Sequence, residues 1–194
     1  MEAGKFSLES NPFDFHRSIQ VVSLSYRVLA ERSGVGFTLD LDPRIDTLEG
    51  TLIGDDMRLR QVVSNLVSNA LKFAGSVKVV TRLVSQHPRG GRGSLRPPDI
   101  AASPNPSNHS DPDSTRPKPS TVVVRVEVHD TGVGLSSHDV TGAGLFSPYV
   151  QTEIGRRQGG KGSGLGLALV RQIVTLSKGR LGVESQVGKG SNFW

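Results

Sequence analysis

The sequence predicts an α/β domain, a two-layer sandwich in which a mixed β-sheet is covered on one face by three helices. Apolar residues recur at helical spacing in three segments, residues 13–31, 57–73 and 165–176. Alternating or valine-rich patterns typical of strands occupy residues 37–41, 76–85, 121–129, 180–185 and 191–194, with a further short candidate at 51–53. Because helices and strands are mixed along the chain, a sheet with helices on one face is the simplest packing that buries both.

The segment at residues 57–73 has the clearest helical period. Its apolar face is formed by Leu59, Val62, Val63, Leu66, Val67, Ala70 and Leu71. Asp55 and Asp56 come directly before it, and aspartate is a residue type that caps helix N-termini. Gly34 and Gly179 are the expected stops of the first and third helices. Residues 132–164, rich in glycine and polar side chains, are expected to form a long loop.

Composition excludes several classes of protein. The chain has 194 residues, no cysteine and a net charge of +5. Disulfides, thiol catalysis and cysteine metal sites are therefore excluded, and no apolar run is long enough for a membrane span or a signal peptide. We expect a cytoplasmic location. Nucleic acid is not an expected partner, because the basic residues are scattered and only 5% of residues are aromatic.

Residues 86–120 differ from the rest of the chain. They hold 8 of the 11 prolines and only four aliphatic residues. Such a segment cannot bury enough apolar surface to offset its ordering entropy, so it is predicted to be a disordered insertion between two strands. A hairpin tolerates it at low cost, since each doubling of loop length costs about 0.6 kcal/mol. The sequence thus predicts one domain over residues 13–194, interrupted at 86–120.

A polar stripe runs along the helix predicted at residues 57–73. Gln61, Asn65, Asn69 and Lys72 follow one another at spacings of four, four and three. At about 100° per residue they share a narrow sector opposite the apolar face. Amide oxygens suit Mg²⁺, which also keeps water and phosphate ligands, and a lysine one turn away can meet a phosphate. The alternative is an ordinary solvated helix face.

A second motif follows the valine-rich strand at residues 121–129. Asp130 stands at the strand end, and Gly132 and Gly134 come next. A carboxylate accepts hydrogen bonds from an amino group such as that of adenine, and glycines let a flat ligand approach the backbone. The alternative is a common Asp-Thr-Gly turn.

A third motif is the glycine-rich run at residues 159–166, which opens the last predicted helix. Glycines before a helix expose backbone N–H groups, and the helix dipole favours a phosphate there. The alternative, a flexible linker, rarely leads straight into an apolar helix. Gly162 stands where a P-loop requires serine or threonine, so the run is not a P-loop.

Together these motifs resemble the ATP-binding domain of sensor histidine kinases, in the superfamily that includes gyrase, Hsp90 and MutL. Residues 58–73 look like that family's N box, and Asp130 to Gly134 like its first glycine box. Leu145-Phe146-Ser147-Pro148-Tyr149 is similar to the F box, and Gly160 to Gly166 to the second glycine box. The part from Phe146 onward looks most like eukaryotic, fungal-like hybrid kinases.

The resemblance implies a Mg²⁺–ATP site. Asn69 would be the protein ligand of Mg²⁺, while Asn65 and Lys72 would serve the phosphate chemistry. Asp130 would recognise the adenine amino group, and residues 136–161 would form a lid over the nucleotide. The other nucleotide-binding positions would be Phe73, Gly132, Gly134, Phe146, Lys161, Gly162, Gly164, Leu165 and Gly166.

Two departures from the family bear on function. ATP-hydrolysing relatives have a glutamate as general base where this chain has Asn65, and an amide cannot accept that proton, so poor hydrolysis is expected. None of the five histidines stands in a phosphoacceptor context, and residues 1–12 resemble the segment that follows the family's histidine hairpin.

The resemblance therefore implies transfer of the γ-phosphoryl group to a histidine hairpin and onward to a receiver domain, in two-component phosphorelay signalling. A non-catalytic nucleotide-binding or interaction module is the alternative. An ATPase clamp of the Hsp90 or MutL kind is disfavoured by Asn65.

Overall fold

The computed structural model describes residues 7–48, 51–88, 120–141, 144–150 and 164–194. The chain divides into two compact units, Met1–Arg82 with Arg125–Trp194, and Leu83–Val124. The helices and the candidate site residues belong to the first unit. The described part of the second unit comprises the end of one strand and the beginning of the next.

Three helices lie close to their predicted positions, whereas a 3₁₀ turn and a short helix were not predicted. In chain order, these elements are α1 (Phe15–Arg32), a 3₁₀ turn (Pro43–Ile45), α2 (Asp56–Leu71), α3 (Ser137–Thr141) and α4 (Gly166–Leu176). The strands are β1 (Asn11–Phe13), β2 (Gly36–Asp40), β3 (Leu52–Gly54), β4 (Ser76–Pro88), β5 (Ser120–Asp130), β6 (Val183–Gln186) and β7 (Gly190–Phe193).

Five strands form one mixed sheet in the order β2-β4-β5-β7-β6. β2 runs parallel to β4, whereas β7 is antiparallel to both β5 and β6. This pairing puts Asp130, the last residue of β5, opposite Ser191 of β7. The predicted mixed sheet is confirmed. Strand β1, which pairs with β3 in a separate two-stranded sheet, was not expected.

Local interactions explain where α2 begins. The side chain of Asp55 accepts a hydrogen bond from the Arg58 amide at 2.9 Å and caps the helix. Asp56 lies inside the first turn, where it forms an ion pair with Arg60 at 2.7 Å. Of the two predicted caps, Asp55 is therefore the one that caps.

The core lies between the helices and one face of the sheet. The β4 side chains on that face, Val77, Val79 and Thr81, are fully buried, as are side chains of α1, α2 and α4 (Ile19, Val63, Val67 and Val170). The opposite face of β4 carries Lys78 and Arg82, with the buried Val80 between them. There Lys78 and Arg82 each contact Asp40 at 2.8 Å and hold the pKa of that carboxyl well below its usual range.

Three predicted boundaries differ from the structure. The loop expected over residues 132–164 includes α3, which Ser136 caps by accepting the Asp139 amide at 3.1 Å. β6 begins at Val183, three residues later than predicted. β4 continues to Pro88 and β5 starts at Ser120, so the ends of the proposed 86–120 insertion are strand; residues 89–119 lie outside the described part.

Candidate functional site

The polar stripe of α2 lies beside the N-terminus of α4. A Cβ added to Gly166, the first residue of α4, would be 2.9 Å from Oδ1 of Asn65 and 3.9 Å from Nδ2 of Asn69. Both asparagines are half-buried. The fold thus brings the third sequence motif against the first, which lies about 100 residues earlier in the chain.

Local hydrogen bonds orient Asn65. Its Nδ2 donates to the backbone carbonyl of Gln61 at 2.8 Å, so its side-chain oxygen faces Gly166. The Gln61 side chain is held separately, because its Oε1 accepts from Nη1 of Arg58 at 2.8 Å. Asn65 therefore presents an amide oxygen, which accepts hydrogen bonds but does not take up a proton near neutral pH.

Asn69 and Lys72 lie next along the stripe. Nζ of Lys72 donates to Oδ1 of Asn69 across a long, exposed contact of 3.4 Å. A contact of this length in solvent is weak and readily exchanged. The oxygen of Asn69 and the ammonium of Lys72 are thus available to a divalent cation and to a phosphate, respectively.

The second motif meets the end of the first at Gly132. A Cβ there would lie 2.8 Å from the carbonyl oxygen of Phe73 and 2.8 Å from Oδ1 of Asp130. The Gly132 amide donates to that same carboxylate oxygen at 2.8 Å. Position 132 therefore needs glycine, since any side chain would separate the β5 end from the chain leaving α2.

Asp130 is half-buried at the end of β5. Burial raises the pKa of its carboxyl, while hydrogen bonds from Gly132 and from the backbone and hydroxyl of Ser191 act in the opposite direction. The electrostatic interaction with His129, the preceding residue, also lowers the pKa of Asp130. The result is a hydrogen-bond acceptor fixed by its neighbours and partly withdrawn from water.

Gly134 has a left-handed backbone with φ of 69°. A Cβ at this position would collide with the carbonyl oxygen of Gln186 at the end of β6. The neighbouring Val133 carbonyl accepts from the Gly188 amide at 2.8 Å. The two glycines of the second motif therefore serve close backbone packing on both sides of the strand end.

Two of the remaining predicted residues, Gly164 and Leu165, lie at the beginning of α4. Gly164 has φ of 69°, and its carbonyl accepts from the Tyr149 amide at 3.1 Å. Leu165 stands at the N-cap position of α4 and is partly exposed. Phe146 packs edge-on against Phe193 of β7, with ring centroids 6.5 Å apart. Lys161 and Gly162 lie outside the described residues.

Two serines contribute to the site that the sequence patterns did not single out. Ser191 lies opposite Asp130 in the pairing of β5 with β7 and lowers the pKa of its carboxyl, and Oγ of Ser185 on β6 lies 3.0 Å from Oγ of Ser191. They come about 55 to 60 residues after Asp130, and only the β5-β7-β6 pairing brings them to it. A single serine in a short strand is too common a feature to have identified either of them.

A hollow of about 670 Å³ lies on the face of the sheet that carries Lys78 and Arg82. Glu127 and His129, which also line it, pair with each other at 2.9 Å. The hollow shares Asp130 with the candidate site but includes neither the α2 stripe nor Gly166.

Two features are absent from the described part of the chain. No group of three or more histidine, cysteine or acidic side chains there could hold a metal ion. None of the helices described is long and apolar enough to cross a membrane.

The family model "Histidine kinase-, DNA gyrase B-, and HSP90-like ATPase" matches residues 54–194. The chain is 30% identical over its whole length to the autoinducer 2 sensor kinase/phosphatase LuxQ of Vibrio vulnificus strain YJ016, of which it covers 19%. It is 30% identical to the sensor histidine kinase GacS of Pseudomonas protegens, covering 17% of that protein. Identity to the sensor histidine kinase RcsC of Escherichia coli K12 is 27%, with 16% of that protein covered.

Solved structures have the same fold. Full-length ShkA in complex with AMPPNP matches 99% of this chain and 31% of its own, with a TM-score of 0.67 and 23% identity. The catalytic domain of histidine kinase ThkA matches 95% of this chain and 92% of its own, with a TM-score of 0.62 and 20% identity.

The family match includes all three sequence motifs. Among the described residues, Gly166 lies against Asn65 and Asn69 of α2, and Gly132 lies against Phe73. The chain spans about a fifth of the length of the curated relatives it matches. It belongs to the family of histidine kinase-, DNA gyrase B- and HSP90-like ATPases.

Proposed function

We propose that this chain binds Mg²⁺–ATP and donates the γ-phosphoryl group to a histidine on a separate helical hairpin, which passes it to a receiver domain in a two-component phosphorelay. The observation that carries the proposal is the approach of Gly166 to Asn65 and Asn69. It puts a helix N-terminus beside two amide side chains, and Lys72 contacts the second of them at 3.4 Å. The sensor kinase relatives support the same function.

Asp130 is the residue we assign to the adenine. Its carboxylate would accept a hydrogen bond from the adenine amino group, whereas guanine presents an oxygen at that position. Gly132 and Gly134 would keep the backbone close to the base, and Phe73 would flank it. The fixed carboxylate, with the Gly132 amide on Oδ1 at 2.8 Å, is suited to this recognition.

The phosphates would lie between α2 and α4. Oδ1 of Asn69 is the oxygen donor that fits Mg²⁺, because its present partner is only the exposed Lys72 ammonium at 3.4 Å. When bound, Mg²⁺ neutralises charge on the phosphate oxygens. Lys72 would add a second positive charge. The α4 N-terminus, with Leu165 at its N-cap position, would supply backbone N–H donors to the phosphates, together with Gly162, Gly164 and Gly166. Lys161 would reach the γ-phosphate. Phe146 would support the lid.

The amide of Asn65 favours transfer of the γ-phosphoryl group over hydrolysis of ATP. Its amide nitrogen is bonded to the Gln61 carbonyl, and its oxygen cannot take a proton from water as a carboxylate base does. Positioning and charge neutralisation supply most of the catalysis in phosphoryl transfer, so such a site serves transfer to a strong nucleophile. We therefore assign the chain to histidine phosphorylation and not to an ATPase clamp.

The test is incubation of the chain with γ-labelled ATP, with and without a separately expressed histidine hairpin from the parent protein. We expect nucleotide binding but no stable label on the chain alone. The hairpin should acquire an acid-labile, base-stable label, as phosphohistidine is. Labelling should be slow, because a tether normally supplies an effective concentration of about millimolar.

Three other outcomes would contradict the proposed function. Nucleotide binding without label on a competent hairpin would support the non-catalytic module instead. Rapid release of inorganic phosphate without the hairpin would support an ATPase. Stable label on a histidine of this chain would contradict the separate hairpin. Asn69→Ala is the matched control, since it should abolish transfer without altering the hairpin.

A further inference from the structure

Thr131, the residue between Asp130 and Gly132, ties the end of β5 to the beginning of β4. Its amide donates to the Ser76 carbonyl at 3.1 Å. Its hydroxyl oxygen accepts from the Ser76 amide at 2.9 Å and lies 3.2 Å from Oγ of Ser76. In a regular antiparallel pair of residues, both acceptors are backbone carbonyls. Here a side chain supplies the second acceptor, so the link depends on the residue type at position 131.

The segment held by this link, residues 73–76, leads from the end of α2 into β4. Its Gly75 carbonyl accepts from the amide of Gly36 on β2 at 3.0 Å. Its Phe73 carbonyl lies against Gly132, where an added Cβ would be 2.8 Å from the oxygen. The segment is therefore fixed by β2 on one side and by the turn after β5 on the other.

This segment joins the two halves of the proposed nucleotide site. Asn69 and Lys72, the residues assigned to Mg²⁺ and phosphate, lie at the end of α2 just before it. Asp130, assigned to the base, immediately precedes Thr131. A nucleotide joins its base to its phosphates covalently, so it binds both halves fully only where their separation matches its own.

We propose that Thr131 is a positioning residue, which sets the separation between Asp130 and the phosphate-binding end of α2. The proposal rests on the Mg²⁺–ATP binding proposed above. Thr131 acts through the backbone of its own turn and of the 73–76 segment, and it needs no contact with the nucleotide. Its side chain is exposed, so water can replace the hydroxyl in a variant. We therefore expect its replacement to shift the turn without unfolding the chain.

The experiment compares the wild-type chain with Thr131→Val, which removes the hydroxyl at nearly constant shape, and with Thr131→Ser, which keeps it. The ligands are AMPPNP with Mg²⁺ and the two halves of a nucleotide, adenosine and inorganic triphosphate with Mg²⁺, titrated by calorimetry and NMR. Thr131→Val should bind AMPPNP about three- to tenfold more weakly, the effect of one lost hydrogen bond. It should bind adenosine and triphosphate as the wild type does. Thr131→Ser should restore the affinity for AMPPNP.

Thr38→Val is the matched control, since it makes the same chemical change at an exposed position of β2. It should leave all three affinities unchanged. Should Thr131→Val fail to fold by circular dichroism, Thr131→Cys replaces it, because sulfur is only a weak acceptor.

A double variant gives a second measurement, for which AMPPNP is the only ligand needed. In an Asn69→Ala chain the phosphate half is already weakened, so correct spacing contributes less to affinity. Thr131→Val should therefore cause a smaller loss in that chain than in the wild type, because the two residues act on one ligand together. Losses of equal size would overturn the proposed role of Thr131.

The outcomes separate this proposal from the proposed function. If Thr131→Val weakened adenosine binding as much as AMPPNP binding, Thr131 would serve the base alone and the positioning role would be overturned. Wild-type affinity for AMPPNP in Thr131→Val would overturn it as well, while leaving the proposed function intact. Absence of AMPPNP binding by the wild type would overturn the proposed function itself, and with it the role of Thr131.

Discussion

Gly166 approaches Asn65 so closely that a Cβ at position 166 would lie 2.9 Å from Oδ1 of the asparagine. The obstructing atom is the end of a side chain and not backbone. A larger residue at 166 would therefore displace Asn65 without disrupting the fold. The proximity of α2 to α4 can therefore be tested by adding one methyl group, in the substitution of Gly166 by alanine.

Gly166→Ala should weaken Mg²⁺–ATP binding without unfolding the chain. The added methyl pushes the Asn65 amide from its present position and fills space beside Asn69. Alanine also favours a helix over glycine by about 0.5–1 kcal/mol, which offsets the crowding. We expect an affinity loss of about tenfold or more, measured by calorimetry, with a thermal unfolding midpoint near that of the wild type.

Gly179→Ala is the control for this variant. It makes the same change beyond the other end of α4, where the Cβ would lie 3.1 Å from Cγ1 of Val174. ATP affinity should stay at the wild-type value. Equal affinities of Gly166→Ala and wild type would show that the phosphates do not lie between α2 and α4.

Asp130→Asn should remove the preference for ATP over GTP. In the wild type, the Asp130 carboxylate would face the guanine oxygen, and two acceptors left without a donor cost about 1–3 kcal/mol. The asparagine of the variant can both donate and accept, so it does not discriminate in this way. The wild type should therefore prefer ATP by roughly 5- to 150-fold, and the variant should show little preference. Calorimetric titration with both nucleotides measures the ratio.

The exposed carboxylate of Glu184 on β6 offers a matched control, since Glu184→Gln makes the same chemical change away from the site. This variant should keep the wild-type ratio. If the wild type itself binds ATP and GTP equally, Asp130 does not recognise the base.

ATP binding should weaken on acidification at a pH above the range usual for aspartate. Burial raises the pKa of Asp130, so its carboxylate is protonated earlier than an exposed one. A raised pKa in the folded state also means that the ionised Asp130 carboxylate lowers the free energy of unfolding. This destabilisation disappears as the pH falls through the raised pKa and the carboxyl becomes protonated. Asp130→Asn should therefore not lower stability at neutral pH, and it should abolish the acid limb of the affinity–pH profile. An acid limb that persists in the variant would assign it to another group.

Asn69→Ala should abolish the Mg²⁺ dependence of ATP binding. The side chain is half-buried and makes the weak hydrogen bond with Lys72, so circular dichroism and thermal stability should change little. Titrations with and without Mg²⁺ give the measurement. The adjacent Ser68→Ala removes only a hydroxyl bonded to the Asn65 carbonyl and should keep the Mg²⁺ dependence. A wild-type dependence in Asn69→Ala would exclude this residue as the ligand.

Short-range patterns predicted most of the fold. The apolar period placed α2 within two residues of its observed ends, because packing against the sheet and an Asp55 cap both act locally on that segment. Local patterns could not predict three features: the parallel pairing of β2 with β4, the order of the strands in the sheet, and the strand β1. They depend on contacts between segments far apart in sequence, and β1 has only three residues.

The candidate site shows the same division. Asn65, Asn69 and Asp130 were identified because the helical period and the strand end mark them locally. Ser185 and Ser191 were not, since their proximity to Asp130 and Leu135 arises from the pairing of β5, β7 and β6. The contact of Gly132 with the Phe73 carbonyl is likewise tertiary, although the glycine itself was expected.

Replacing residues 89–119 with a short Asn-Gly turn should preserve both folding and ATP binding. The composition of this segment predicts little apolar burial, and the candidate site residues belong to the other compact unit. β4 reaches Pro88 and β5 begins at Ser120, so the deletion keeps the strands whole. Shortening the connection should leave stability equal or raise it slightly, by the reduced loop-closure entropy.

Thermal unfolding and calorimetric ATP titration provide the comparison, with a scrambled sequence of the same composition in place of 89–119 as the control. A deletion that unfolds while the scrambled chain folds would show that loop length is required, and loss of folding in both would show that the native segment packs on the domain.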